Sequence, residues 1–574
     1  MVEVSANHST ASTASAASSI RALAVDYDGT LTDGGPPGAA VLQALADARA
    51  RGVAIVLVTG RILSELRAEM PDADAVFDAI VGENGAVLAI GGVDRILAPM
   101  VAPALDDVLR RRGIGFRRGQ AILAAWSHDA TAVFEAIGAV GLEDHIIHNR
   151  GAIMVVPPGV TKGSGVVHAL AALGISPHCA VGVGDAENDH SLLDTCELGA
   201  AVGNAIPSLL AHADIRLRGR SGDGIIELLN GPPFIGGPVR SHRWRLALGT
   251  FDDGTAATIP ASQVRIVVRG ESGSGKSYLA GLLCEQLIAG GYSVGIIDPE
   301  GDYLPLADLP GTIAFGGSNR LPTPAELARF LRHHLGSIVI DLSGLSDVDR
   351  RSYQRALIPQ LTSLRQDDGL PHWLFVDECH LPSEDDRTAW QRLLEGPREL
   401  CLITYQTESL SKAVVDAADV LIRTLPPSAQ GHQLLIERAP GLAEPRVVTV
   451  QQRAISHVRH WHKYVHSLLP PHHRFRFRRP NGSVVGEASN VEDFARQLAT
   501  LDLEVVRHHV SCGDFSRWLA DVLQDHELAL TIRTAERSHG AATSDAVRAT
   551  ILAAVRRRYL DTEPRRMMTV ALSQ

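Results

Sequence analysis

Short apolar runs alternate with helical patterns through the first 230 residues of the chain. Strands that alternate with helices are typical of a parallel sheet covered by helices on both faces. The runs are bounded by polar or glycine-containing segments, as buried strands of such a sheet are. They are residues 20–25, 53–58, 75–81, 180–183 and 199–202. The pattern therefore predicts a doubly wound α/β fold for this part of the chain.

Polar residues follow several of these runs. The carboxyl ends of parallel strands meet at one edge of a sheet, and open α/β sheets bind their ligands at that edge. A predicted helix over residues 161–173 adds a lysine at its start. The polar residues are Asp26 and Asp28 after the first run, Thr59, Gly60 and Arg61 after the second, Lys162 on the helix, and Asp185, Asn188 and Asp189 after the fourth.

The pair Asp26 and Asp28 is the centre of this arrangement. Two nearby carboxylates repel each other, so they favour a divalent cation or a proton on one of them. On residues 26–30 alone, an acidic turn that caps a helix is an alternative interpretation. The polar residues after the later runs favour a phosphate site instead, with Mg²⁺ as the cation.

Each group of the predicted phosphate site has a role in ester hydrolysis. Asp26 would be the nucleophile, and Asp28 would protonate the leaving oxygen and then deprotonate the attacking water. Other groups would hold the phosphate oxygens, neutralise developing charge and share Mg²⁺ with Asp26. These are Thr59 and the Gly60 N–H for the oxygens, Lys162 for the charge, and Asp185 for Mg²⁺.

With these motifs, residues 20–230 resemble the haloacid dehalogenase (HAD) superfamily of phosphatases. Within it they are similar to the Cof-like subclass IIB, which includes sugar-phosphate phosphatases. The matching motifs are residues 26–30, 59–61, 162, and 184–185 with 188–189, while residues 83–85 match the segment that leads from core to cap.

The resemblance implies a Rossmann-like core, an aspartyl-phosphate intermediate and an α/β cap that selects the substrate. The cap would occupy about residues 86–157, between the second and third motifs. Implied site residues include further substrate contacts and metal ligands. They are Gly60, Arg61, Asn84 and Asn188 for the substrate, and Asp26, Asp28, Asp185 and Asp189 for the metal.

A turn-rich linker over residues 231–242 predicts a domain boundary. Residues 244–249 and 255–259 flank an Asp-Asp-Gly turn, which indicates a hairpin. The apolar run 264–268 then leads into the sequence GESGSGKS, a complete phosphate-binding P-loop with a strand before it and a helix after it. Its ATP-binding residues would be Gly270, Gly273, Ser274, Gly275, Lys276 and Ser277, the last also a ligand of Mg²⁺.

Two later apolar runs supply the remaining groups of a predicted ATPase site. Residues 373–376 lead into Asp377 and Glu378. Asp377 would hold Mg²⁺ and Glu378 would polarise the attacking water, which favours hydrolysis over transfer to another acceptor. Residues 400–404 end near Gln406, which would sense the γ-phosphate.

Residues 296–303, with the sequence IIDPEGDY, extend this second resemblance. Together with the Asp-Glu pair and the late glutamine, they make residues 243–450 similar to the HerA/FtsK group of motor ATPases. That resemblance implies a RecA-like fold, ATP hydrolysis and a homohexameric ring, with Arg423 as a candidate for the arginine that a neighbouring subunit contributes. Nucleic acid is an open alternative as a partner.

The chain after residue 450 predicts a mainly helical domain, residues 451–574. Residues 474–479 alternate arginine with phenylalanine, which fits a half-buried strand first and a phosphate or RNA contact second. A histidine cluster favours a helix over a metal site because no carboxylate or thiol joins it at ligand spacing. Its members are His457, His460, His462 and His466. Residues 514–519 and 525–529 resemble a small uncharacterised helical domain found as an appendage in prokaryotic proteins.

The charge, the cysteines and the apolar runs of the chain limit which of these functions are expected. A net charge of −11 argues against a chain that coats nucleic acid throughout. The six cysteines are scattered, which predicts a reducing cytoplasm and no disulfide framework. No apolar run reaches transmembrane length, so no membrane partner is expected. Residues 1–19, rich in Ala, Ser and Thr, predict a disordered tail rather than a signal peptide.

The leading hypothesis is a bifunctional hydrolase. It joins a Mg²⁺-dependent phosphomonoesterase, acting on a sugar phosphate or similar small metabolite, to a module that binds and hydrolyses ATP with Mg²⁺. Two alternatives stay open: a nucleic-acid-associated motor with an accessory phosphatase, and an ATP-gated oligomer that regulates its own phosphatase.

Overall fold

The protein is a mixed α/β molecule. The computed structural model describes residues 19–149, 151–271, 274–317, 320–378, 393–404, 412–426, 431–455, 469, 473–523, 525–538 and 543–560. Its described strands form two large sheets, a four-stranded sheet and a hairpin. Within these ranges, no helix is both long and apolar enough to cross a bilayer.

The first sheet has eight strands in the order β12-β11-β10-β1-β2-β3-β4-β5. Its first six strands are parallel, and β4 and β5 are antiparallel additions at one edge. The strands are β1 (Ala22–Asp26), β2 (Ala54–Val58), β3 (Ala79–Gly82), β4 (Val87–Ile90), β5 (Val93–Ile96), β10 (Ala180–Gly184), β11 (Leu198–Ala201) and β12 (Ile215–Arg216).

Helices cover the first sheet because its central strands are apolar on both faces, as the sequence predicts. They are α1 (Ala39–Ala50), α2 (Leu63–Glu69), α3 (Ala73–Val76), α6 (Lys162–Ala172), α7 (His190–Thr195), α8 (Pro207–His212), α9 (Ser221–Leu229) and α10 (Pro232–Ile235). The predicted strand over residues 75–81 is partly wrong: its first residues end α3, and only the run after Asp78 enters β3. Asp78 itself accepts the Ile55 N–H at 2.8 Å and so sets the start of that strand.

A separate antiparallel sheet lies between β5 and α6 in the chain, in the order β6-β7-β9-β8. We call it the cap sheet. Two helices pack against its apolar face. The predicted cap, residues 86–157, also includes β4 and β5, which pair with the first sheet. The elements are α4 (Pro103–Arg111), β6 (Phe116–Arg118), β7 (Leu123–Trp126), α5 (Ala130–Val140), β8 (His145–Asn149) and β9 (Ala152–Val156).

The second sheet has eleven strands in the order β14-β13-β23-β22-β21-β15-β20-β19-β16-β18-β17. Strands from β21 to β17 are parallel, whereas the other four are antiparallel and include the predicted hairpin β13–β14. The strands are β13 (Arg245–Phe251), β14 (Ala256–Pro260), β15 (Arg265–Arg269), β16 (Val294–Asp298), β17 (Thr312–Gly316), β18 (Ser337–Asp341), β19 (Trp373–Val376), β20 (Leu400–Thr404), β21 (Val420–Thr424), β22 (Gln433–Arg438) and β23 (Arg446–Val450). The helices are α11 (Lys276–Ala289), α12 (Pro324–His333), α13 (Asp347–Asp367) and α14 (Lys412–Ala417).

The C-terminal part is a hairpin followed by helices around an aromatic core. The predicted alternation at residues 474–479 is confirmed, since Phe475 and Phe477 are buried while Arg476 and Arg478 are exposed. The predicted histidine cluster lies outside the described residues. The elements are β24 (Phe475–Arg478), β25 (Val484–Ala488), α15 (Val491–Thr500), α16 (Leu503–Cys512), α17 (Asp514–Asp521), α18 (His526–Arg537) and α19 (Ser544–Val555).

The two large sheets touch at the amino-terminal ends of their strands, in what we call the intersheet contact. His178 and Glu197 precede β10 and β11, and Tyr292 and His372 precede β16 and β19. The rings of His178 and Tyr292 stack at 3.6 Å between centroids, and the Tyr292 hydroxyl donates to Glu197 Oε2 at 2.7 Å. All four side chains are buried.

Candidate active sites

A buried lysine joins two carboxylates at the carboxyl edge of the first sheet. Lys162, the first residue of α6, donates from Nζ to Asp26 Oδ1 and to Asp189 Oδ1, each at 2.6 Å. Burial and the charge of Asp189 raise the pKa of Asp26 to about 7 despite the nearby lysine. Burial alone would lower the pKa of Lys162, but the charges of Asp189 and Asp26 outweigh it and raise that pKa. The ammonium therefore stays charged between them.

Three carboxylates around this lysine form a compact group of oxygen ligands. One oxygen each from Asp26, Asp185 and Asp189 lies within 4.8 Å of the others. Asp189 Oδ2 accepts the backbone N–H groups of Asp185 and Ala186, both at 2.9 Å, so Asp189 is engaged at both oxygens. Asp26 and Asp185 therefore fit best as direct ligands, and an all-carboxylate set suits Mg²⁺.

The carboxylate of Asp28 lies outside that group. Arg61 donates to both of its oxygens, from Nη2 at 2.6 Å and from Nε at 2.8 Å. The same guanidinium contacts Glu69 Oε2 at 2.5 Å and lies 4.7 Å from the centroid of the Tyr27 ring. The predicted acid, Asp28, is thus ion-paired with a predicted substrate-binding residue.

The remaining predicted residues of this site lie at the ends of β2 and β3 and next to β10. Thr59 is buried, its hydroxyl accepts the Arg61 N–H at 3.1 Å, and Gly60 follows it in the turn after β2. The Asn188 amide donates from Nδ2 to Asn84 Oδ1 at 3.1 Å. Sequence order had predicted these groups as neighbours, and the structure brings them to one edge.

The turn between β3 and β4 connects the first sheet to the cap sheet. Glu83 is fully buried and accepts the N–H groups of Gln120 and Ala121 at 2.8 Å and of Ile122 at 3.2 Å. Gly85 follows with a positive φ of 109°, and a Cβ there would lie 2.0 Å from the Thr161 carbonyl oxygen. The turn therefore packs directly against the residue that precedes Lys162.

The predicted P-loop joins β15 to α11 on the second sheet. Gly275 has φ of 97°, which favours glycine, and Lys276 Nζ donates to the Glu271 carbonyl oxygen at 2.8 Å. The Ser274 hydroxyl lies 2.6 Å from that of Thr424 at the end of β21. Gly270 and Ser277 occupy the two ends of the loop, whereas the predicted ATP contacts Gly273 and Gln406 lie outside the described residues.

The predicted acidic pair of the second site follows β19, two strands from the P-loop strand. Burial raises the pKa of Asp377 to about 7, and its Oδ2 accepts the Tyr303 hydroxyl at 2.8 Å. Tyr303 is held by Asp298, whose carboxylate accepts its N–H at 2.9 Å and that of Gly301 at 2.8 Å. Glu378, next in the chain, has a positive φ of 47°. Arg423 on β21 donates to Glu437 at 3.0 Å.

Residues 138–229 match the family model described as haloacid dehalogenase-like hydrolase. A phosphoglycolate phosphatase of Methanothermobacter thermautotrophicus is 32% identical over 217 residues, which make up 36% of this chain and 96% of that relative. The chain belongs to the haloacid dehalogenase-like hydrolases. This hydrolase is also 31% identical to a phosphoglycolate phosphatase of Halorubrum lacusprofundi over 223 residues, covering 36% of the chain and 95% of the relative.

Solved structures also align with about a third of the hydrolase. A HAD subclass IIB sugar phosphatase aligns with 20% identity and a TM-score of 0.30, over 34% of this chain and 93% of that protein. A Thermoplasma acidophilum protein aligns with 17% identity and a TM-score of 0.32, over 36% of this chain and 96% of its own.

The second half of the hydrolase carries a different domain. Residues 262–349 match the family model described as Helicase HerA, central domain, which confirms the predicted HerA resemblance. The matched range contains the P-loop and Tyr303 and ends before Asp377.

Thr30 lies in the first motif, and its hydroxyl donates to Asp185 Oδ1 at 3.1 Å. Sequence reasoning missed the contacts of three other residues. Glu83 lies inside the motif that leads from core to cap. Tyr303 also lies in a recognised string, where its role in contacting Asp377 had no local signal. Glu69 lies on α2 and no motif marks it; only the folded position of Arg61 does.

Proposed function

We propose that the chain is a Mg²⁺-dependent phosphomonoesterase that acts through an aspartyl-phosphate intermediate. The observation that carries this proposal is the buried Lys162 between Asp26 and Asp189, with a third carboxylate close by. A buried ammonium beside a nucleophilic carboxylate can neutralise the charge of an incoming phosphate. When bound by Asp26 and Asp185, Mg²⁺ would add Lewis-acid stabilisation of phosphate oxygens.

In the proposed reaction, an Asp26 oxygen forms a bond to phosphorus as the bond to the ester oxygen breaks. Asp28 gives its proton to the leaving alkoxide, which departs as an alcohol. Asp28 then takes a proton from a water whose oxygen attacks the phosphorus, and the Asp26–phosphorus bond breaks to restore the carboxylate and release phosphate. The Thr59 hydroxyl and the Gly60 N–H would hold phosphate oxygens, a role supported by their position after β2 at the same sheet edge.

The substrate class we propose is a small phosphorylated metabolite. Relatives named phosphoglycolate phosphatases, similar over almost their whole length, make phosphoglycolate the first compound to test, with sugar phosphates beside it. The cap sheet docks through Glu83, next to the site, so its loops would set the choice among these esters.

The test of this function uses the full chain with Mg²⁺ and a panel of phosphate esters. We expect Asp26→Asn to lower phosphate release by at least about 1,000-fold, because the nucleophile is lost. Asp33→Asn, which removes an exposed carboxylate just beyond the motif, is the matched control and should change turnover by less than about twofold. Full turnover in Asp26→Asn would refute the aspartyl-phosphate route.

We further propose that the second module binds and hydrolyses ATP. Support comes from the P-loop next to α11, the buried Asp377 and the adjacent Glu378, together with the match to the HerA central domain. We expect Lys276→Ala to abolish ATP hydrolysis and leave phosphomonoester hydrolysis intact, and Asp26→Asn to do the reverse. If either substitution abolished both activities, the proposal that the two sites act independently would be wrong.

The HerA description favours one further measurement. DNA or RNA, added at low salt, should stimulate ATP turnover if the module is a nucleic-acid motor, and the stimulation should fall steeply as salt rises. Equal turnover with and without nucleic acid would argue against the motor.

A further inference from the structure

Two stacked aromatic rings lie beside the P-loop of the second site. Tyr278 is in the first turn of α11, and His432 immediately precedes β22. Their ring centroids are 4.3 Å apart and their planes are inclined by 27°. A Cβ built on Gly275 would lie 2.8 Å from His432 Nδ1, so the imidazole borders the loop itself. Both residues are half-buried and neither belongs to a hydrophobic core.

Hydrogen bonds hold the Tyr278 ring and the backbone of His432 in place. The Tyr278 hydroxyl donates to the Gln451 carbonyl oxygen at 3.2 Å and accepts the Arg453 N–H at 3.0 Å. The carbonyl oxygen of His432 accepts the Val450 N–H at 2.9 Å, which ties the residue to β23. A planar surface that is already ordered loses little conformational entropy when a ligand stacks on it.

The strand order indicates which end of a nucleotide would reach these rings. The P-loop follows β15, and the acidic pair Asp377 and Glu378 follows β19 on one side of it. These acids act at the terminal phosphate, so the phosphate chain would end on that side. The base would extend to the opposite side, towards β21 and β22, where His432 lies.

We propose that Tyr278 and His432 form a stacking platform for the base of a nucleoside triphosphate. The inference rests on the proposed ATP binding and adds the recognition of a planar purine to that of the phosphates. The Arg453 guanidinium, 5.9 Å from the Tyr278 ring centroid, adds a cation behind the platform. Because every base has an aromatic face, such a platform accepts guanine as well as adenine.

The test compares ATP with inorganic tripolyphosphate, which has the phosphates but no base. Binding of each ligand to the full chain is measured by calorimetry with Mg²⁺. We expect His432→Ala to weaken ATP binding by about 5- to 150-fold, the range for the loss of one base–aromatic stack. Tripolyphosphate binding should change by less than about twofold, and His432→Phe, which keeps a flat ring, should retain the ATP affinity.

Other outcomes separate the platform from the ATPase proposal. If the unmodified chain binds both ligands and His432→Ala changes neither affinity, or weakens both equally, the platform is wrong while ATP binding stands. If the unmodified chain binds neither ligand, the proposals of ATP binding and of the stacking platform are both wrong. Tripolyphosphate binding by His432→Ala, measured on the same samples, reports whether the second site has folded, because His432 lies beside the P-loop of that site.

Discussion

The contact between Arg61 and Asp28 sets a condition on the proposed acid. A guanidinium has only donors, and it donates to both Asp28 oxygens, so the carboxyl group is held towards Arg61 while the contact lasts. Arg61 must therefore move before Asp28 can protonate a leaving group. An anionic substrate would compete for the guanidinium and draw it from Asp28, so that binding itself would prepare the acid.

The proposed contact between Arg61 and an anionic substrate predicts the effect of Arg61→Gln. We expect kcat/KM for a phosphorylated acid to fall by about 10- to 1,000-fold, because a charged substrate contact is lost. Arg67→Gln is the matched control: Arg67, on α2, also pairs with two carboxylates, but these are Asp74 and Asp94, neither of which belongs to the predicted site. Steady-state kinetics give kcat/KM for both variants. Equal kinetics in the two variants would contradict a role for Arg61.

At the scale of elements, the turn that contains Glu83 holds the cap sheet in place. Its carboxylate accepts three successive N–H groups, from Gln120 to Ile122, and is shielded from water. An ionised carboxylate can accept all three hydrogen bonds because its two oxygens are acceptors and carry no proton of their own. Glu83 is therefore a buried anchor between the first sheet and the cap sheet.

Glu83→Gln tests that dependence. The glutamine NH₂ would face N–H donors, and we expect the unfolding free energy to fall by about 1–3 kcal/mol, with a raised KM because the cap docks less well. The control Glu65→Gln removes an exposed contact between the same two parts, from Arg117 at 2.7 Å, and should cost less than about 1 kcal/mol. Urea unfolding gives both values, and similar losses in the two variants would contradict the anchor.

Local pattern predicts most of these elements, but not the contacts between them. The strands after which Asp26 and Thr59 lie are apolar runs, and their ends meet because parallel strands share an edge. The apolar run at residues 75–81 predicts one strand, although its first residues are helical, because short apolar patterns are common to helices and strands. The pairing of Arg61 with Asp28 and the stacking of His178 on Tyr292 join distant residues, so no periodicity signals them.

At the scale of the whole molecule, a buried aspartate of the first sheet binds the segment that leads to the second sheet. Asp214 precedes β12 and accepts Arg243 Nη2 at 2.7 Å, the Ser241 hydroxyl at 2.9 Å and the Gly199 N–H at 2.9 Å. Burial alone would raise the pKa of Asp214, but the Arg243 bond and the backbone N–H groups outweigh it and lower that pKa.

The lowered pKa fixes the pH range in which this aspartate stabilises the fold. The stabilisation is complete above the ordinary aspartate pKa, about 4, and is lost as the pH falls through the lower folded value. We expect Asp214→Asn to lower the unfolding free energy by about 2–4 kcal/mol at pH 7. Below pH about 4 the variant and the unmodified chain should converge, as measured by urea unfolding.

Asp194→Asn is the control for that measurement, because Asp194 is exposed and lies 3.7 Å from the same arginine. This substitution should lower the unfolding free energy by less than about 1 kcal/mol at any pH. A loss in Asp214→Asn that stays constant from pH 7 to pH 3 would contradict the linkage.

The position of the intersheet contact determines how a product of one proposed site would reach the other. His178 and Tyr292 meet at the amino-terminal ends of β10 and β16, whereas Asp185 follows the carboxyl end of β10 and Asp298 is the last residue of β16. Each strand of five residues spans about 16 Å, so the two proposed sites lie at the strand ends that are away from this contact. A product of one proposed site would therefore pass through solvent to reach the other.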